Sequence, residues 1–181
     1  MPNWCLNTLT IEAESKDKLE EVLAFIKSED EPFSLEKIHP IPQEIADTPH
    51  KSTEDGIERI AGLLNGEVKD YRDWWEWSLA EWGCKWDIEG GEVIDMDEDN
   101  LIALSFDSAN SPPIPIVQRL NEKYEDVDFT LRYFEPGCCF GGIFSKSDDT
   151  RYDDQIDADA YQQFAIDEFG WDFDNEDEEE E

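Results

Sequence analysis

Asn7-Thr8-Leu9-Thr10-Ile11-Glu12 alternates polar and apolar side chains, the period-two pattern of a strand with one buried face. Ser15 then stands where a helix N-cap is needed, and Leu19, Val22, Leu23 and Ile26 recur on one helical face. Farther along, the same succession of elements returns. Residues 84–88 (Cys84-Lys85-Trp86-Asp87-Ile88) and 101–106 (Leu101-Ile102-Ala103-Leu104-Ser105-Phe106) read as strands joined by an acidic connection. Pro112, after Ser111, suits a first helical position, and Pro113, Val117, Leu120 and Tyr124 continue that face. Residues 127–134 and 139–144 read as closing strands that turn at Pro136-Gly137. Two strand–helix–strand passes predict an α+β sandwich with helices on one face of an antiparallel sheet. No internal sequence repeat accompanies them.

Between the passes lie segments of other character. Pro40, Pro42 and Pro49, interleaved with Ile38, Ile41 and Ile45, mark residues 33–49 as an ordered loop. Ile57, Ile60, Ala61 and Leu64 define a short helix stopped by Asn65-Gly66. Tyr71, Trp75, Ser78 and Trp82 fall on one face of the next helix, with Trp74 and Trp77 beside it. Tryptophans at 74, 75 and 77 cannot all face inward, so one of them, Trp77, is a candidate partner-binding residue.

A chain of 181 residues with 39% hydrophobic and 12% aromatic residues has enough apolar mass for a real core. Its 48 acidic residues against 14 basic ones give a formal net charge of −34. Such a surface repels phosphate, which excludes direct binding to nucleic acid or to an anionic membrane. It attracts cations, basic peptides and the basic groove of a nucleic-acid-binding protein. The N-terminus has no basic region followed by an apolar run, and no stretch approaches about 18 consecutive apolar residues. Cys138 and Cys139 are adjacent and Cys5 and Cys84 solitary, which suits reduced thiols. These features predict a cytoplasmic, soluble protein.

Composition breaks near Ser147. From there to Glu181 stand 16 acids and one base, Arg151. The predicted division is a body over 1–146, an acidic helical appendage over 147–175 and a disordered acidic tail over 176–181, where like charges repel. Ile156, Ala160 and Phe164 are spaced four apart and predict a docked amphipathic helix over 153–169. On a helix, Asp149, Asp153 and Asp157 would recur about 6 Å apart along the axis. Asp148, Asp154 and Asp159 flank that row, and Asp167, Glu168, Asp172 and Asp174 extend it. All ten carboxylates are candidate partner-binding residues.

Several strings occur together: Met1-Pro2-Asn3-Trp4-Cys5-x-Asn7, Trp82-Gly83-Cys84-Lys85-Trp86-Asp87, residues 106–113 ending in Ser-Pro-Pro, Glu135-x-Gly137, and Phe140-Gly141-Gly142. In this order they resemble the YubB-like family of phage- and plasmid-borne proteins with a ferredoxin-like domain, over about residues 1–145. Cys84 departs from an expected Thr, and Ser108-Ala109-Asn110 from an expected Thr-Ala-Trp. The resemblance implies a ferredoxin-like α+β fold and a mobile-element origin, and it carries over no activity and no catalytic residue. The acidic C-terminal segment lies outside it.

Constellations for chemistry are weak. The cysteines lack the paired two- to four-residue spacing of zinc or cluster sites and read as small buried hydrophobes. Asp95-x-Asp97-x-Asp99 imitates the start of a calcium loop, but Asn100 replaces the sixth-position Gly and Phe106 the twelfth-position Glu. An acidic hairpin connection is the better reading. His39 and His50 have no nucleophile or carboxylate set by local spacing, and Gly137 and Gly141-Gly142 lack the Lys-Ser/Thr of a phosphate loop. The expectation is a non-enzyme without cofactor or metal, its oligomeric state open. Its carboxylates would occupy the nucleic-acid groove of a basic host protein or nuclease complex, as an anti-restriction or anti-CRISPR inhibitor does. The rival expectation is an adaptor that docks through exposed tryptophans, with the acids serving solubility.

Overall fold

The computed structural model describes residues 3–53, 55–95 and 100–173. In chain order the elements are β1 (Trp4–Ala13), α1 (Lys16–Ile26), the short turns α2 (Leu35–Ile38) and α3 (Gln43–Ala46), α4 (Gly56–Leu64) and α5 (Trp74–Glu81). Then come β2 (Glu92–Asp95), β3 (Leu101–Ala109), α6 (Ile114–Lys123), β4 (Val127–Glu135), β5 (Phe140–Phe144), β6 (Asp149–Asp153) and α7 (Ala158–Phe169). The six strands form one antiparallel sheet in the order β2-β3-β1-β4-β5-β6. The run β2-β3-β1-β4 is the split strand–helix–strand arrangement, with α1 and α6 as its two crossovers. The β5–β6 hairpin widens it beyond β4.

Alternation along the strands separates two faces. Cys5, Leu9 and Ile11 of β1, Ile102, Leu104 and Phe106 of β3, and Phe129, Leu131 and Tyr133 of β4 point into the main core. Leu19, Val22 and Ile26 of α1 and Ile116, Val117 and Leu120 of α6 cover them. Asn7, Ser108 and Glu135 are buried polar residues on this face; Asn7 Nδ2 donates to the Cys5 carbonyl at 2.7 Å, to Ser108 Oγ at 2.9 Å and to the Phe106 carbonyl at 3.3 Å. Phe134 points the other way. It is fully buried against Tyr161, Phe169 and Trp171, so α7 packs on the opposite face, at the β4–β5 end.

Several expectations are corrected. Residues 84–88 form no strand: Gly83 takes a positive φ of 89°, only Lys85 N reaches the sheet, at the Ala109 carbonyl, and Asp87 turns away. Its carboxylate accepts from Ser34 Oγ at 2.8 Å and Leu35 N at 2.6 Å and so caps α2. The strand beside β3 is β2. The C-terminal helix begins at Ala158 with Asp157 as N-cap, and residues 149–153 are strand β6. On α5 the buried residues are Glu76, Trp77 and Ser78; of the expected Tyr71-Trp75-Ser78-Trp82 face, Ser78 and Trp82 are buried, whereas Tyr71 and Trp75 are half-buried. On α4 the inward residues are Gly62 and Leu63, which leaves Ile57 89% and Leu64 64% exposed. Asp97, Asp99, Asp174 and the tail 176–181 lie outside the described residues.

Candidate functional site

The acidic candidates come from three local structures. Asp149 and Asp153 share one side of β6 with Arg151, four residues and therefore about 13 Å apart. The helical row at about 6 Å is not formed. Asp153 receives Gln155 N at 3.0 Å and lies 3.7 Å from Arg151; Asp157 caps α7 by accepting Ala160 N at 3.1 Å. Asp148 accepts from Thr150 Oγ1 at 2.6 Å, and Asp167 from Gln163 Nε2 at 2.8 Å. Glu168 is tied at 2.8 Å to Arg132 of β4 and so docks α7 on the sheet. Asp149, Asp159 and Asp172 are exposed and Asp154 is half-buried. Carboxylates that shape the fold are thus distinct from the exposed Asp149 and Asp159 and the half-buried Asp154, none of which caps a helix.

Trp77 is withdrawn as a contact residue. It is 3% exposed, edge-on to Trp82 at 5.4 Å and against the His39 ring at 5.0 Å. The exposed tryptophans are Trp4 and Trp86, which sequence periodicity did not single out. They belong to the quoted strings, and those strings meet in space. Asn110 N donates to the Asn3 carbonyl at 2.8 Å, Ser111 Oγ to the Gly83 carbonyl at 2.5 Å, and Asn3 Nδ2 to Cys138 Sγ at 3.3 Å. Buried Glu135 accepts Gly137 N at 3.0 Å and also receives Cys138 N, which fixes the turn into β5. A Cβ on Gly83 would stand 2.6 Å from Pro115 Cδ, so the close pass of this segment over α6 requires glycine. The signal available in sequence was co-occurrence of the strings; their common location needed the fold.

Cys5, Cys84 and Cys138 are not activated. Cys5 and Cys84 are fully buried, and burial pushes both thiols up. Cys138 is exposed and Cys139 half-buried, unlike the expected burial of all four. The Cys138 thiol is raised by its hydrogen bond to Glu135, then by desolvation. Low-pKa nucleophiles need the opposite shift.

Both histidines gain partners that lie far off in sequence. His39 Nε2 is 3.2 Å from Glu81, which also receives Tyr71 Oη and Arg119; His50 Nδ1 is 3.0 Å from Asp73. Burial works to raise the Glu81 carboxyl, but the Tyr71 bond, Arg119 and His39 outweigh it and hold it low. The cluster locks residues 33–49 to α5 and α6. Tyr71 is pushed up to about 12 by burial and by Glu81, and Tyr133 to about 12 by burial. Each phenol keeps its proton in the fold past about pH 10, where the unfolded chain releases it. Their contribution to stability is therefore full below pH 10 and is lost as pH rises toward 12. In an alkaline titration, phenolate absorbance from Tyr71 and Tyr133 should appear only together with unfolding. Reversible ionisation of all five tyrosines near pH 10, with the fold intact, would contradict this.

Fold and site together define a ferredoxin-like α+β domain. The family model of the ferredoxin-like domain in Api92-like protein matches residues 82–181, and the chain belongs to that family. The match runs to the last residue and takes in the acidic C-terminal segment, which the resemblance over 1–145 had left outside. No curated protein and no solved structure matches the chain. Among the described residues no helix is long and apolar enough to cross a membrane.

Proposed function

We propose that this protein is a non-catalytic inhibitor, encoded by a phage or plasmid as its resemblance to the YubB-like family implies. It occupies the basic groove of a host defence protein, a restriction or CRISPR effector, in place of nucleic acid. The observation that supports this reading is the handling of positive charge. All five arginines are held in ion pairs within the fold: Arg59 and Arg72 on Glu76, Arg119 on Glu81, Arg132 on Glu168 and Arg151 beside Asp153. Lys146 is turned onto the carbonyls of Tyr124, Glu125 and Val127. The arginines and Lys146 are taken up by partners within the fold, while the chain as a whole carries a formal charge of −34. A folded anionic surface gains long-range attraction to a basic groove and the release of that groove's counterions.

The test is a tagged pull-down from host lysate across a salt series, with duplex DNA as competitor. A captured nucleic-acid-binding protein that is released both by moderate salt and by DNA is the expected result. Asp149→Lys, Asp154→Lys and Asp159→Lys together avoid the capping residues and should weaken that complex about tenfold, at a few tenths of a kcal/mol to 1 kcal/mol per exposed pair. A complex indifferent to salt, DNA and the triple variant would sink the reading.

A further inference from the structure

Ala109, at the end of β3, is flanked by two indoles. Trp4 is its cross-strand neighbour on β1, and Lys85 N reaches its carbonyl at 3.3 Å from the other side, which brings up Trp86. The rings sit with centroids 6.4 Å apart and planes at 47°, and they are 47% and 39% exposed while Ala109 is buried. Between and beside them opens a cleft of about 530 Å³ lined by Trp4, Trp86, Asp87 and Glu89. Two large aromatics left in water on a folded domain, rimmed by carboxylates, form an anchor pocket of the kind that dominates interfaces.

The chemistry selects a cation. Indole faces carry negative charge density, and the Lys85 ammonium already stands 4.3 Å from the Trp86 ring centroid. Asp87 is saturated by its bonds to α2, but Glu89 is exposed and has no such duty. Asp107 lies two residues from Ala109 on the same sheet face, about 7 Å along the strand, opposite Leu6. Desolvation raises its carboxyl, and a cation nearby would reverse that shift. A planar guanidinium stacks on indole and forks its donors to carboxylates, whereas an ammonium is a compact, strongly hydrated point charge.

We propose that the Trp4–Trp86 cleft seats an arginine side chain of the basic partner. This rests on the reading that the partner is basic, and adds the residue by which it is gripped. The test titrates the full chain with a nonamer of arginine and a nonamer of lysine, followed by indole fluorescence and calorimetry at low and moderate salt. The arginine peptide should bind more tightly and shift indole emission. Trp86→Leu should weaken it roughly 3- to 30-fold and abolish the preference over lysine, while Trp86→Phe, which keeps a ring, retains most of it. The triple Lys variant should weaken both peptides alike and leave the preference intact. Equal binding of the two peptides, unchanged in Trp86→Leu, would overturn the arginine cleft and leave the acidic reading standing. Failure of both peptides to bind at low salt would remove the acidic reading and the cleft with it.

Discussion

Phe134→Ala is expected to cost about 3–5 kcal/mol and to free α7 from the sheet. Phe134 is fully buried on the face opposite the main core, with ring centroids 5.5 Å from Tyr161, 5.7 Å from Phe169 and 5.2 Å from Trp171. Tyr161 and Phe169 of α7 and Trp171 just beyond it converge there. Removing the ring leaves a cavity that the rigid strand β4 on one side and the helix on the other cannot both close. The remaining attachments are the Tyr152–Phe164 stack at 4.5 Å and the partly exposed Arg132–Glu168 pair. An ion pair of that exposure contributes at most about 1 kcal/mol. Hydrogen exchange should therefore accelerate in 158–169 while β1, β3 and β4 stay protected, and the denaturation midpoint should fall. Unchanged protection of α7 would mean that the helix is held by something other than this cluster.

The parts of the fold that were legible in the sequence are those whose partners are fixed by periodicity. Asn7–Glu12 alternates because β1 is central and one of its faces meets α1 and α6; the α1 stripe of Leu19, Val22 and Ile26 is the other half of the same contact. The two passes made the antiparallel sheet and the crossover helices α1 and α6 legible, but not β2, which takes the place expected for 84–88. Strand β6 was not legible. Asp149, Asp153 and Asp157 happen to fall at helical steps, whereas the real determinant lies in β5. A Cβ on Gly142 would collide with the Thr150 carbonyl oxygen and the Tyr133 hydroxyl, so only glycine there admits β6 as a neighbour. Nothing in residues 149–153 announces that.

The candidate site divides likewise. Acidity was visible by counting, but which carboxylates serve the fold depended on partners from other elements, such as Arg132 for Glu168. Residues 84–88 look like a strand because Cys84, Trp86 and Ile88 alternate, yet Asp87 is drawn to the α2 cap by Ser34, 53 positions earlier. That detour is what lifts Trp86 out of the sheet and beside Trp4. The tryptophan run at 74–77 drew attention to the wrong ring, because Trp77 faces Trp82 and His39 and the exposed pair is assembled from opposite ends of the chain's first half.

Glu76→Ala should cost about 3 kcal/mol and release α4. Its buried carboxylate receives Arg59 Nε at 2.8 and 3.0 Å, Arg72 Nε at 2.9 Å and Arg72 N at 2.9 Å, so one side chain joins α4, the segment before α5 and α5 itself. Apolar burial cannot replace it. The inward residues of α4 are Gly62 and Leu63, and one leucine contributes about 1.5–3 kcal/mol, while Ile57 and Leu64 face water. Deleting one member of a buried pair costs about 3–5 kcal/mol because the charge left behind loses its partner; Arg72 can regain water, which places this case at the lower end. Glu76→Gln keeps the shape and an accepting oxygen and should cost about half as much. Exchange should rise in 56–64 and leave the sheet unaffected. Salt provides the discriminating measurement, because buried pairs are weakly screened and exposed ones strongly. The Glu76→Ala defect should be the same at low and high salt, over the range in which binding to a basic partner is lost. A defect that vanishes in salt would mean that the Glu76 cluster is solvated and that α4 is held by apolar contacts instead.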